Sequence, residues 1–265
     1  MKKCISLCVL LLILGLVWLG CGSDNPVSNN IDSYVEEPFS FTVDVQDQSR
    51  FRLEGITGTV ELTGRSDVNA ITISGERRVE SSSKKDAEAR LEDLAVEVHD
   101  LTTEVLVKTI QPEDTGGANY VVDYVISLPR DLEVKVGNLV GTVEVDSVDN
   151  KITVNSVGGD IFLDEINGSV LTVLITGNIF CKATLPPDGV IDLSTVTGNI
   201  VLHIPEETSA QLSANVSTGT MHMSGLTLQN QNVTNTSVSG TLGEGNGTIT
   251  VRAVTGNVTI SGFTD

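Results

Sequence analysis

Val196-Thr-Gly-Asn-Ile-Val-Leu202 holds one copy of a phrase that recurs along the chain: a glycine, a small polar residue, an aliphatic, a variable residue and a second aliphatic. Other copies are Gly58-Thr-Val-Glu-Leu62, Gly141-Thr-Val-Glu-Val145, Gly159-Asp-Ile-Phe-Leu163, Gly177-Asn-Ile-Phe-Cys181, Gly219-Thr-Met-His-Met223 and Gly256-Asn-Val-Thr-Ile260. Gly240-Thr-Leu242 reads as a weaker copy. From Gly141 to Gly240 the glycines step by 18, 18, 21, 21 and 21 residues. A period of that length marks stacked supersecondary units, none of which can bury its apolar face alone.

Beyond Val136 each repeat carries a second apolar segment, as in Lys151-Ile-Thr-Val154, Gly168-Ser-Val-Leu-Thr-Val173, Gly189-Val-Ile-Asp-Leu193 and Ala210-Gln-Leu-Ser-Ala214. Two or three short strands per coil follow. At the rise of a β-strand, a coil traces roughly 60–70 Å and stacks on the next at about 4.8 Å. The pattern predicts an all-β parallel β-helix, or β-solenoid, with 18–21 residues per coil. In such a coil the glycine turns a corner that a side chain would obstruct, and its Asn, Asp or Thr neighbour bonds the turn backbone. The Gly+2 and Gly+4 aliphatics share one strand face and form the core, so Gly+3 points outward.

Nearer the N-terminus, residues 39–135 alternate with period two, for example Phe39, Phe41, Val43 and Val45, then Phe51 and Leu53. One short helix is expected within 81–94, where Ala87, Leu91 and Leu94 fall at helical spacing behind a Ser-rich entry. The regular coils occupy 136–265 and are expected to continue from 39–135 as one body. Residues 21–38, rich in Ser, Asn, Asp and Pro, read as a flexible tether.

The first twenty residues are an export signal: Lys2 and Lys3, an apolar run from Val9 to Leu19, then Gly20 before Cys21. This resembles a bacterial lipoprotein signal, although Trp18 stands where leucine is usual. The resemblance implies lipid on Cys21 and a membrane anchor there, and it places the chain in the envelope, at the outer membrane or cell surface. An uncleaved anchor and an ordinary signal peptide are the alternatives. Cleavage removes two of 16 basic residues and none of 35 acidic ones, moving the net charge from −19 to −21. Nucleic acid is excluded as a partner by that charge. Cys4 and Cys8 leave with the signal, so no disulfide framework is expected within the chain.

Tyr124-Val-Ile-Ser-Leu-Pro129, Leu132-Glu-Val-Lys-Val136 and the Val-x-Gly-Thr-Val and Val-Thr-Gly-Asn-Ile phrases running to Phe263 resemble the bacterial putative-adhesin family of β-strand-repeat domains. The resemblance covers nearly all of the mature chain. It implies the β-repeat fold and a surface location, and it carries no catalytic residues.

The outward Gly+3 row reads Glu144, Phe162, Phe180, Val201, His222 and Thr259. Its two phenylalanines and a valine, with His222, make Phe162, Phe180, Val201 and His222 the candidate binding patch, unless residues 76–128 fold over it. Cys181 stands at an inward Gly+4 position and reads as a small buried hydrophobe. His203 and His222 lie between inward aliphatics and should face solvent, whereas His99 stands apart; a Ser-His-Asp site has no support beyond abundant Ser and Asp. Asp146, Asp149, Asp160, Asp164 and Glu165 lack the regular repeat of calcium-binding coils, and a solvated acidic face is expected. Gly158-Gly159-Asp160 is a corner, since the lysine and helix of a phosphate loop are missing. No metal, cofactor or catalytic residue is expected.

These readings lead to a non-enzymatic, lipid-anchored envelope protein whose partner is another envelope protein, a polysaccharide or a neighbouring cell. One alternative is a carbohydrate-active β-helix enzyme. It would need a walled groove with clustered acids or aromatics, yet Trp18 is the only tryptophan and lies in the signal. The other is a subunit that assembles through open coil ends, because no capping helix follows Gly262.

Overall fold

The computed structural model describes residues 33–264. In chain order the N-terminal elements are β1 (Ser33–Asp44), β2 (Arg50–Glu54), β3 (Val60–Arg65), β4 (Ala70–Ser81), α1 (Lys84–Leu91), β5 (Ala95–Asp100), β6 (Glu104–Ile110) and β7 (Asn119–Pro129). The regular part follows as β8 (Glu133–Val140), β9 (Val143–Asp146), β10 (Ile152–Gly158), β11 (Ile161–Ile166), β12 (Val170–Thr176), β13 (Ile179–Ala183), β14 (Val190–Thr197) and β15 (Ile200–Pro205). The C-terminal part comprises β16 (Ala210–Thr218), β17 (Met221–Ser224), β18 (Leu228–Val233), β19 (Ser237–Leu242), β20 (Gly247–Thr255) and β21 (Val258–Phe263).

Each coil supplies two strands, one to a ten-stranded sheet (sheet A) and one to an eleven-stranded sheet (sheet B). Coil follows coil in parallel register: Val143, Ile161, Ile179 and Ile200 form one rung series, and Val134, Ile152, Val170 and Ile191 the facing one. All eight side chains are fully buried. Burial of both inner rows between the sheets is the source of cohesion.

The stacking order departs from chain order at both ends. β2 and β3 lie between the β6/β7 coil and the β8/β9 coil, while β20 and β21 insert between the β14/β15 coil and the β16/β17 coil. Burial explains the second arrangement. Val258 and Ile260 of the inserted coil are 1% and 0% exposed, whereas Met221 and Met223 of the displaced outer coil remain half-buried. The branched aliphatics take the site with neighbours on both sides, and the adaptable methionines take the end. Gly240 is accordingly not a corner: it sits inside β19, which runs antiparallel to β16 and β18.

Antiparallel strands close most of the stack. β4 and then β1 extend sheet A beyond β7, β5 extends sheet B beyond β6, and β19 with β18 covers the other end of sheet B. Among the described residues only β17 leaves a parallel strand at a sheet edge. β1 starts at Ser33, inside the expected tether, because the alternation already begins at Val35 and Glu37 pairs with Arg77. Cys21 and the signal lie outside the described residues. The expected helix forms as α1, capped by Ser83, whose Oγ accepts from the Asp86 N–H at 3.2 Å. Ala87, Leu91 and Leu94 are buried, and α1 packs on β1 and β4.

Candidate functional site

At each corner the glycine is required by its neighbour above or below. Gly159 has φ +110°, and a Cβ there would lie 2.2 Å from the Gly141 carbonyl oxygen. The polar residue beside it bonds between coils rather than within its own turn. Asp160 Oδ1 accepts from the Asn178 N–H and Nδ2 at 2.7 and 3.0 Å, and Asn178 Oδ1 accepts from the Asn199 pair at 3.0 Å each. Asn199 then serves Asn257, and Asn257 serves Thr220. The series begins on Asp160, whose ionised carboxylate only accepts, and ends on Thr220, whose hydroxyl donates to Asn257 Oδ1 at 2.7 Å.

This regular corner places the outward Gly+3 row on the face of sheet A. Its spatial order is Glu61, Glu144, Phe162, Phe180, Val201, Thr259, His222. The structure therefore brings Phe162, Phe180 and Val201 together and separates His222 from them by Thr259, a consequence of the inserted β21. Phe162 is 37% exposed, and Phe180 and Val201 are half-buried. The two rings are parallel, with planes 3° apart and centroids at 4.9 Å. Residues 76–128 do not fold over this row. They add strands beyond β3 in sheet A and beyond β2 in sheet B.

Two positions further along, the next outward row reads Asp146, Asp164, Lys182 and His203. Lys182 Nζ stands 3.7 Å from Asp164 and 5.7 Å above the ring centre of Phe263. Beside it lies an open depression that includes Glu165, Asn167 and Thr184 in its lining. His203 faces solvent and its Nδ1 lies 2.7 Å from Ser261 Oγ; among the described residues no carboxylate bonds to this histidine. His222 is exposed as well, and His99 pairs with Glu97 on β5.

Cys181 is 1% exposed, and burial, helped by the Asp164 charge, pushes its thiol up to about 12. It is a core residue between the sheets. The five acidic residues disperse: Asp149 pairs with Arg130, Asp164 with Lys182, Asp160 enters the asparagine series, and Ser147 lies between Asp146 and Glu165. Among the described residues no three His, Cys, Asp or Glu side chains converge as a metal site.

A second apolar surface escaped the sequence reading. On the outer face of sheet B the Gly−2 residues form a row of Leu139, Val157, Ile175, Val196 and Val254, exposed by 51, 43, 46, 47 and 50%. Ile56 extends it at one end. The strand β12 is apolar at three successive outward positions, Leu171, Val173 and Ile175, and Val173 is 53% exposed. Gly137 leaves a shallow groove beside Leu139, Val157, Val173 and Ile175. The signal was present in the recurring Val-x-Gly, since strict alternation from the buried Val134 and Val136 sends Leu139 outward.

The family described as Toastrack DUF4097 matches residues 46–261. Among solved structures, the chain is similar to one described as a "putative cell adhesion protein" from Clostridium sporogenes, at 12% identity and a TM-score of 0.44, over 86% of this chain and 100% of that one. Another is described as a "putative adhesin" from Bacteroides fragilis, at 10% identity and a TM-score of 0.35, over 86% of this chain and 97% of that one. A comparison with curated proteins found no match.

Proposed function

The chain belongs to the Toastrack DUF4097 family, and from that membership we propose a non-enzymatic binding protein of the bacterial envelope, held to a membrane by lipid on Cys21. Its partner is an envelope protein, a polysaccharide or the surface of another cell, in the manner of an adhesin. The observation that carries this reading is the Phe162–Phe180 stack with Val201 on the outer face of sheet A. The core of those coils is filled by Ile161, Leu163, Ile179, Cys181, Ile200 and Leu202, so the two rings contribute nothing to the inner packing. A contiguous apolar surface of that kind on an acidic chain supports contact with another body.

The test is Phe162→Ser with Phe180→Ser in the full chain, followed by crosslinking and pulldown from intact envelopes. Lost capture with an unchanged melting temperature supports the reading; unfolding or aggregation of the purified double variant contradicts it. A second reading, assembly through the coil end, is favoured by one observation: Met221 and Met223 are half-buried on the edge strand β17. Concentration-dependent sedimentation that a proline at His222 abolishes would support assembly.

A further inference from the structure

We propose that the Gly−2 row on sheet B is a membrane-docking face, which lies on the surface of a phospholipid bilayer while sheet A faces away. The row is aliphatic over Ile56, Leu139, Val157, Ile175, Val196 and Val254, six successive coils that span about 24 Å at the strand spacing. Its neighbourhood is uncharged where it is widest. Over the four coils from Leu139 to Val196, the flanking outward positions are Gly137, Val140, Asn155, Gly158, Val173, Thr176, Ser194 and Thr197. In a chain of net charge −19, a neutral aliphatic strip is a surface that does not repel a lipid interface.

Burying this strip costs little in backbone hydrogen bonding. β8, β10, β12, β14 and β20 are all interior strands of sheet B, so their main-chain groups already have partners on both sides. The side chains that meet the acyl boundary are branched aliphatics, which gain from leaving water.

The border of the strip carries charge of both signs. Arg50, Arg52, Lys108 and Lys151 stand on the same face towards the N-terminal end of the stack, interleaved with Glu54, Glu104 and Glu133. Lys135, the outward residue beside Gly137, is exposed and has no ion-pair partner among the described residues. An aliphatic strip bordered by a free ammonium matches the acyl and phosphate layers of a phospholipid surface. The chain ahead of β1 favours this occupant over a second copy. This rests on the lipid anchor proposed above: between Cys21 and Ser33 lie 11 residues, which reach at most about 40 Å, so lipid on Cys21 would hold the body at high effective concentration beside the bilayer. Two copies would instead bring together bodies of the same strong negative charge.

The test uses the full chain in a Trp18→Phe background, so that an introduced indole is the only one. Ile175→Trp reports the strip and Phe180→Trp reports the opposite sheet. Each is reconstituted with phosphatidylcholine vesicles containing lipids brominated near the headgroup. The expected result is that emission from the indole at position 175 falls by about half while emission from position 180 is unaffected. Adding Val157→Ser with Val173→Ser should restore the emission from position 175 without altering the melting temperature. Equal quenching at both positions overturns the proposal, as does flotation with the vesicles without quenching at either. A blue shift at position 175 that follows protein concentration and not lipid shows a second copy on the strip and overturns it too. Mass spectrometry of the Cys21 peptide reports the anchor chemistry separately, so failure of the lipid reading and failure of docking are distinguishable.

Discussion

Gly158 and Gly159 are adjacent, yet replacing each by alanine should move stability in opposite directions. At Gly158, inside β10, an added Cβ meets nothing within 4 Å and the backbone is ordinary. Alanine there removes unfolded-chain entropy and should stabilise by about 0.4–1 kcal/mol. At Gly159 the Cβ would lie 2.2 Å from the Gly141 oxygen and 2.5 Å from its carbonyl carbon, at φ +110°. The backbone strain costs about 1–3 kcal/mol. Relieving the clash requires the two coils to part by about an ångström, which stretches the Gly141 N–H to Gly158 bond at 2.9 Å and the Val143 N–H to Asp160 bond at 3.0 Å. Each lost bond costs about 1 kcal/mol, giving about 3–5 kcal/mol in all. That loss corresponds to a melting temperature lower by roughly 6–20 °C for a body of this size. Urea denaturation of the two single variants, fitted for midpoint and slope, is the assay. Equal midpoints, or a lower midpoint for Gly158→Ala than for Gly159→Ala, would refute the corner role of the repeated glycine.

Asn199→Ala should lower the urea-derived stability by about 1–2 kcal/mol, because Asn199 both donates to Asn178 and accepts from the Asn257 N–H; an unchanged midpoint would show that the inter-coil series is ornamental. Alkaline pH should destabilise the fold. Burial raises the Cys181 thiol to about 12, with Asp164 adding to the shift, and raises the Tyr124 hydroxyl to about 12 against the partial opposition of Thr109. Unfolded thiol and phenol ionise near about 8.5 and about 10, so their contribution is complete below that range and is lost as pH climbs towards 12. Urea midpoints from pH 8 to 11 should fall, and Cys181→Val should flatten the part that begins near pH 9; an identical slope in the variant rejects the buried-thiol account. Met221→Asp with Met223→Asp should cost far less than Val258→Asp with Ile260→Asp, since the first pair lies at the half-buried end and the second between two coils. Comparable losses in thermal melts would argue against the inserted last coil.

The coil was readable because its signals are local. A glycine, its polar neighbour and two aliphatics at fixed spacing define a corner and a strand without reference to distant residues. The same locality gave α1, whose Ser83 cap and Ala87–Leu91 stripe lie within one short segment. Stacking order is not local. The 37-residue step from Gly219 to Gly256 contains the β18–β19 hairpin, and nothing in the spacing says that the chain returns on the inner side of the β16/β17 coil. That inversion is why Thr259, and not His222, lies beside Val201. Gly240 misled for a related reason: its phrase fits a corner, but an antiparallel partner on each side makes it part of a strand interior. The Phe162–Phe180 pair was legible from alternation alone, whereas the sheet B row lay hidden in residues that read as core because they are aliphatic. Their exposure follows from parity along each strand, which outranks residue type.

Site-specific photocrosslinking tests the functional account most directly. A benzophenone amino acid placed at Phe180, and separately at the exposed Glu88 of α1, would be activated in intact cells expressing the full chain. The account predicts a discrete adduct from position 180 that is absent from position 88 and is lost when Phe162 is also changed to serine. No adduct from position 180, or the same adduct from both positions, would contradict it.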